Sequence, residues 1–258
     1  MKPANVVLGF GVSALILLAT CGPVAGSERA ANRCARDLFR ERVATIAPPN
    51  SNLEPILAKA LVVTRLRDED LMQLPFEAYE VQYTFSRPCP TAIVLVQDEK
   101  CRVVRDPTLD SSDSPVDVSV ARRRTLDQVN NFILAMQGPS LSHVDPVRLA
   151  RGVTELLYRE DGIQALDDEV SLERIIDASP DLALFRSNDG RLNEWRSQAR
   201  PSVIEKDGRA TVQFLSWRRF GGVLSRHQVV IERNRTVDEK ASVLATAVGA
   251  FESVRYRQ

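Results

Sequence analysis

Apolar positions along this chain change their period several times, and each change marks an element. The first run, Val6 to Ala19 (VVLGFGVSALILLA), is continuous and uncharged. Leu38, Val43 and Ile46 then recur at helical spacing with charges between them, which predicts a helix over 28–46 that Pro48-Pro49 stops. Asn52 can cap the next helix, with Pro55 in its first turn, and that helix is expected to reach Leu66. A short helical piece from Asp68 to Leu74 follows. The period next falls to two: Tyr79, Val81, Tyr83 and Phe85 alternate with Glu80, Gln82 and Thr84, the pattern of a strand with one buried face. Arg87-Pro88-Cys89-Pro90 turns the chain into Ala92 to Val96, which is apolar throughout and reads as a central strand covered on both faces. Asp98-Glu99 makes a turn, and Cys101 to Arg105 begins a third strand. An antiparallel meander is expected.

Asp106 to Asp117 (DPTLDSSDSPVD) is acidic and rich in Ser and Pro, and reads as a linker or loop. Beyond it, Leu126, Val129, Ile133 and Met136 form one stripe of a helix over 118–136, ended by Gly138-Pro139. Asp145 caps another helix, with Pro146 at its first position and Val147, Val153, Leu156 and Leu157 along it. Residues 163–186 suggest two short helices broken at Ser179-Pro180. After Asp207-Gly208, Ala210, Val212 and Phe214 share a strand face. Gly221-Gly222 turns into a strand from Val223 to Glu232. Thr236 and Glu239 have capping-box spacing, which predicts a last helix through Phe251. The fold class expected is α+β: an antiparallel sheet of about five strands packed with several helices. Two similar α+β halves are the alternative, although their residues do not match. The expected divisions are a signal peptide (1–26), helices with a meander (27–106), a linker (107–117), and helices with a hairpin (118–258).

The N-terminus gives the chain an address. Lys2, the apolar run, and the small, helix-breaking Thr20 to Ser27 follow the order of an export signal. At 14 residues the run is shorter than the roughly 18 a bilayer span needs. Leu18-Ala19-Thr20-Cys21 resembles the lipobox of bacterial lipoproteins, departing from it at Thr20. That resemblance implies lipidation of Cys21. Cleavage after Val24-Ala25-Gly26 is the other reading.

Cleavage after residue 26 leaves 232 of the 258 residues and removes one positive charge, so 33 basic residues face 34 acidic ones. A net charge of −1 excludes chain-wide attraction to nucleic acid. Arg122-Arg123-Arg124 and Arg218-Arg219 read as solvated runs. Asp167-Asp168-Glu169 lacks the spacing of a calcium loop and also reads as a solvated face. No nucleophile elbow, S-x-x-K, H-E-x-x-H or phosphate-binding loop occurs. No catalytic, cofactor-binding or metal-ligating residue is assigned, and no cofactor is expected.

Export changes how the cysteines are read. Either fate of Cys21 leaves Cys34, Cys89 and Cys101 in an oxidising compartment. The central strand separates Cys89 from Cys101 by about 25 Å, whereas a disulfide needs Cα atoms within about 7 Å. Cys34 is therefore expected to pair with Cys101, or with Cys89. Of the two histidines, His143 precedes a helix cap, and His227 shares a strand face with Val223, Val229 and Ile231, as a hydrogen-bonded core histidine would. The expected function is that of an exported bacterial envelope protein, in the periplasm or anchored to the outer membrane. It would bind an envelope protein or a small apolar ligand, without catalysis and without nucleic acid. The rivals are a periplasmic hydrolase using His143 with Asp145, and a structural lipoprotein tether held by the lipid on Cys21.

Overall fold

Ala92 to Val96 are all buried, as only a strand covered on both faces can be. The computed structural model describes residues 26–44, 61–83, 91–98, 100–105, 118–136, 144–179, 189–233 and 235–249. The strand is β3 (Thr91–Gln97). It lies in a four-stranded antiparallel sheet with β1 (Leu61–Arg65), β2 (Glu77–Tyr83) and β4 (Lys100–Arg105), in the order β1-β2-β3-β4. One face carries Tyr79, Val81, Tyr83, Ala92, Val94 and Val96, which pack on Ala30, Ala31, Ala35 and Phe39 of helix α1 (Gly26–Ala44). A disulfide joins Cys34 of α1 to Cys101 of β4, with Cα atoms 6.1 Å apart.

Residues 61–65 correct the expectation of a helix to Leu66. They pair with β2 from Leu61↔Tyr83 to Arg65↔Tyr79. Val62, Val63 and Thr64 are β-branched, and an open edge of β2 offers them ladder hydrogen bonds.

The second sheet has five strands: β5 (Ile163–Ala165), β6 (Ser202–Lys206), β7 (Arg209–Arg218), β8 (Val223–Glu232) and β9 (Arg235–Ala245). β5 and β6 both pair with β7, at its two ends, and β8 and β9 follow on its other edge. Asp207 and Gly208 take φ of 52° and 74°, which a two-residue hairpin between β6 and β7 requires. Ile163 to Ala165 are a strand where a helix was expected, because they pair with β7 at Ser216 to Arg218, the stretch of that edge that β6 leaves open.

The described residues therefore form an α+β fold with two antiparallel sheets. Between them lie α2 (Glu69–Met72), α3 (Val118–Ala135) and α4 (Pro146–Leu157). One cluster of buried side chains runs from Ala78, Ile93 and Leu95 of the first sheet to Val212, Phe214, Val229 and Ile231 of the second. It passes through Leu71, Leu126, Val129, Phe132, Leu149, Val153 and Leu156 of those helices. The far face of the second sheet packs Leu215 and Leu224 on α5 (Glu169–Asp177) and α6 (Asp189–Gln198) through Leu172, Ile176, Leu192 and Trp195.

β9 overturns the predicted C-terminal helix, and the physical reason also shapes the site. Ile231 pairs with Thr236, but Val230 pairs with Asp238, so Val237 is an extra residue in a bulge. The bulge puts Thr236 and Glu239, three residues apart, on one face of the sheet. That is the spacing a capping box also needs. Asn130 of α3 holds the strand there, donating from Nδ2 to the Thr236 carbonyl at 2.7 Å and accepting the Thr236 N–H at 3.1 Å.

Candidate functional site

The register of the second sheet brings three side chains into a diagonal line. Phe214 of β7 faces His227 of β8, and Ser216 lies two residues further along the same face. His227 faces Ala241 of β9, and Glu239 lies two residues before Ala241 on that face. The hydroxyl of Ser216 is 2.7 Å from His227 Nε2, and His227 Nδ1 is 3.0 Å from Glu239 Oε1. A carboxylate oxygen only accepts, so Nδ1 carries the proton in the neutral ring and Nε2 accepts from the Ser216 hydroxyl. His227 is 1% exposed. As expected from its strand face, it is a hydrogen-bonded core histidine.

Two aromatic rings hold the imidazole. Phe214 stacks on it at 5.1 Å between centroids, and Tyr158 meets it edge-on at 5.3 Å. The Tyr158 hydroxyl donates to Glu239, 3.2 and 3.1 Å from its two oxygens. Burial, and then the Glu239 charge, push the Tyr158 hydroxyl well above the usual phenol range, so it stays a donor.

Tyr158, Ser216, His227 and Glu239 form the floor of a cleft of about 390 Å³ between the start of α3 and the second sheet. Leu126, Leu157, Ile163, Val223 and Val243 make its walls apolar. Arg122 and Arg218 line it as well, each paired with one oxygen of Asp161, at 2.7 and 3.0 Å. Arg122 also lies over the Tyr158 ring, 3.8 Å from its centroid. The reading of both arginine runs as solvated surface is corrected at these two positions. Arg123 remains exposed, beside Asp127.

A second cavity, of about 470 Å³, lies between α2 and α4 and is strongly acidic. Asp68, Asp70, Glu155 and Asp167 line it, with Arg148 and Arg151. Arg151 is 8% exposed and bonds Asp167 at 2.7 Å and the Leu166 carbonyl. Burial pushes the Glu155 carboxyl up to about 9, helped by its hydrogen bond to Asp68 and by the Asp68 charge; Arg159 opposes them. Asp70 is also raised, by burial first.

The other expected residues scatter. Asp145 caps α4 by accepting the Val147 N–H at 2.9 Å, and its side chain is half exposed. Asp168 caps α5 through the Ser171 N–H at 2.8 Å. His143, Cys21, Cys89, the segment before residue 26 and the linker at 107–117 lie outside the described residues. Among the described residues no group of His, Cys, Asp and Glu is placed to hold a metal ion, and no helix is long and apolar enough to cross a membrane. Sequence reasoning missed Ser216, Tyr158 and Glu239 as a group. Ser216 continues the face of Phe214 and was legible, whereas Glu239 had been placed on a helix. The chain matches no protein-family model, no curated protein and no solved structure.

Proposed function

We propose that this is an exported bacterial envelope protein that binds a small amphiphile with one anionic end. The cleft over the second sheet carries this reading. Its apolar walls suit a hydrocarbon body, Arg122 and Arg218 suit a carboxylate or similar head, and the polar floor suits a hydrogen-bonding group. The ligand class is thereby narrower than the purely apolar one expected from sequence. Asp161 keeps the two guanidinium groups in place and leaves each of them further donors. The Cys34–Cys101 disulfide supports the export reading, since such bonds persist in oxidising compartments.

Two measurements test this. Mass spectrometry of the protein from its native host should find the first 20 to 26 residues removed, with release from the membrane fraction by Cys21→Ala if Cys21 is lipidated. A chain retaining Lys2 in the cytosol refutes export. Calorimetry with decanoate, decanol and decylamine should show one-to-one binding of decanoate, weakened by Arg122→Gln and by Arg218→Gln. Equal binding of decylamine, or no binding of any of the three, refutes the ligand class.

A further inference from the structure

We propose that Ser216 is a nucleophile, with His227 as its general base and Glu239 as the group that orients and charges that base, so that the cleft hydrolyses esters. The inference rests on the cleft admitting an amphiphile, and it departs from the expectation of binding without catalysis.

Serine, histidine and carboxylate stand in the order and hydrogen-bond pattern that nucleophilic acyl transfer needs. The Ser216 proton already points at the basic nitrogen, and Glu239 is positioned to stabilise the imidazolium that forms when the proton moves. Phe214, Tyr158 and the Tyr158–Glu239 hydrogen bond leave the imidazole one orientation. A core network needs none of this to lie against a cleft. Here all three members line one.

A second observation points to a reacting oxygen. Arg218 lies two residues beyond Ser216 on the same face of β7 and lines the same cleft, and its buried Nε–H has no acceptor. Ser216 itself is paired on both sides, with Ala165 of β5 and Ser225 of β8. Its neighbouring backbone amides are therefore committed to the sheet, and a developing oxyanion must be served by side chains. The free Arg218 Nε–H and the nearby Arg122 guanidinium supply charged donors for it.

The steps balance without a further reactant but water. Ser216 Oγ adds to the ester carbonyl carbon as its proton passes to His227 Nε2, and the carbonyl π pair becomes the oxyanion. Collapse expels the alkoxide, which takes the proton from Nε2, leaving Ser216 acylated and the alcohol free. Water then adds to the acyl carbon and gives a proton to Nε2. The second collapse breaks the Ser216 ester bond, the Oγ recovers that proton, and a carboxylic acid leaves. The substrate class is a small ester with an apolar acyl chain.

The test uses the mature chain, an alkyl fluorophosphonate and p-nitrophenyl butyrate, with decanoate binding measured in parallel. We expect one phosphonyl adduct, on the peptide carrying Ser216, in the wild-type protein. We expect Ser216→Ala to lower p-nitrophenyl butyrate turnover at least about 100-fold. An unmodified Ser216 in a protein that binds decanoate overturns the chemistry and leaves the binding reading standing. So does an adduct on another serine, or wild-type turnover in Ser216→Ala. Failure to bind decanoate, with no adduct, overturns both. Adduct mapping is done on the unaltered protein, so the outcome does not depend on a variant folding.

Discussion

Glu155 should make the protein less stable as pH rises, and Glu155→Gln should abolish most of that dependence. Its folded-state carboxyl is held up to about 9, against an ordinary value of 4.5. Between those values the folded protein holds a proton there that the unfolded chain has released. Folding therefore takes up a proton, and stability falls as pH increases through that window. Each unit is worth about 1.4 kcal/mol for a fully shifted group, so the loss between pH 4.5 and about pH 7 is on the order of 3 kcal/mol. The side chain is only 16% exposed, so solvent screens little of this. Glutamine keeps a donor for Asp68 and has no proton to lose. Near pH 4.5 the two proteins should be about equally stable. Near pH 7 the variant should be more stable by about 2–3 kcal/mol, and the gap should stop growing above pH 9. Urea unfolding followed by the fluorescence of Trp195 and Trp217 measures this. Groups distant from Glu155 contribute equally in both proteins and cancel in the difference. Parallel stability–pH curves would refute the assignment of the shift to Glu155, as would a variant less stable at pH 7.

Two further outcomes test the fold itself. The disulfide closes a separation of 67 residues, for which chain entropy gives about 4 kcal/mol, so Cys101→Ser should lower urea stability by about that much and non-reducing peptide maps of the parent should link Cys34 to Cys101. A loss below about 1 kcal/mol would mean that α1 is held by packing alone. Asn130→Ala removes both hydrogen bonds that hold Thr236 at the bulge and should cost about 2 kcal/mol, read by thermal unfolding; a neutral effect would count against the bulged strand.

What could be read from the sequence was what neighbouring residues decide. Asp145 with Pro146 announced the start of α4, and the unbroken run Ala92 to Val96 announced a doubly covered strand. The hairpin face of Phe214 and His227 was legible for the same reason, since alternation and turn residues set it. Thr236 and Glu239 were misread because a helix turn and a bulged strand both bring residues three apart to one side. Only the pairing with β8 and the grip of Asn130, 106 residues away, decide between them. Leu61 to Arg65 failed in the same way, their strand state depending on β2. The relay at the site crosses three strands and adds Tyr158 from the end of α4. No local spacing encodes that, although each member stood in plain view.

The bond between Cys34 and Cys101 also decides where tension goes. In a chain held at its N-terminus, a pull ahead of Gly26 enters α1 first. With the bond intact, the load leaves α1 at mid-helix and reaches the sheet at β4, the strand against which α3 packs. The wall of the cleft that carries Arg122 and Leu126 is on α3, one element from the point of attachment. With the bond reduced, the same load follows the backbone out of α1 toward β1, at the opposite edge of the sheet. Oxidation thus chooses which edge of the first sheet takes up such a load first.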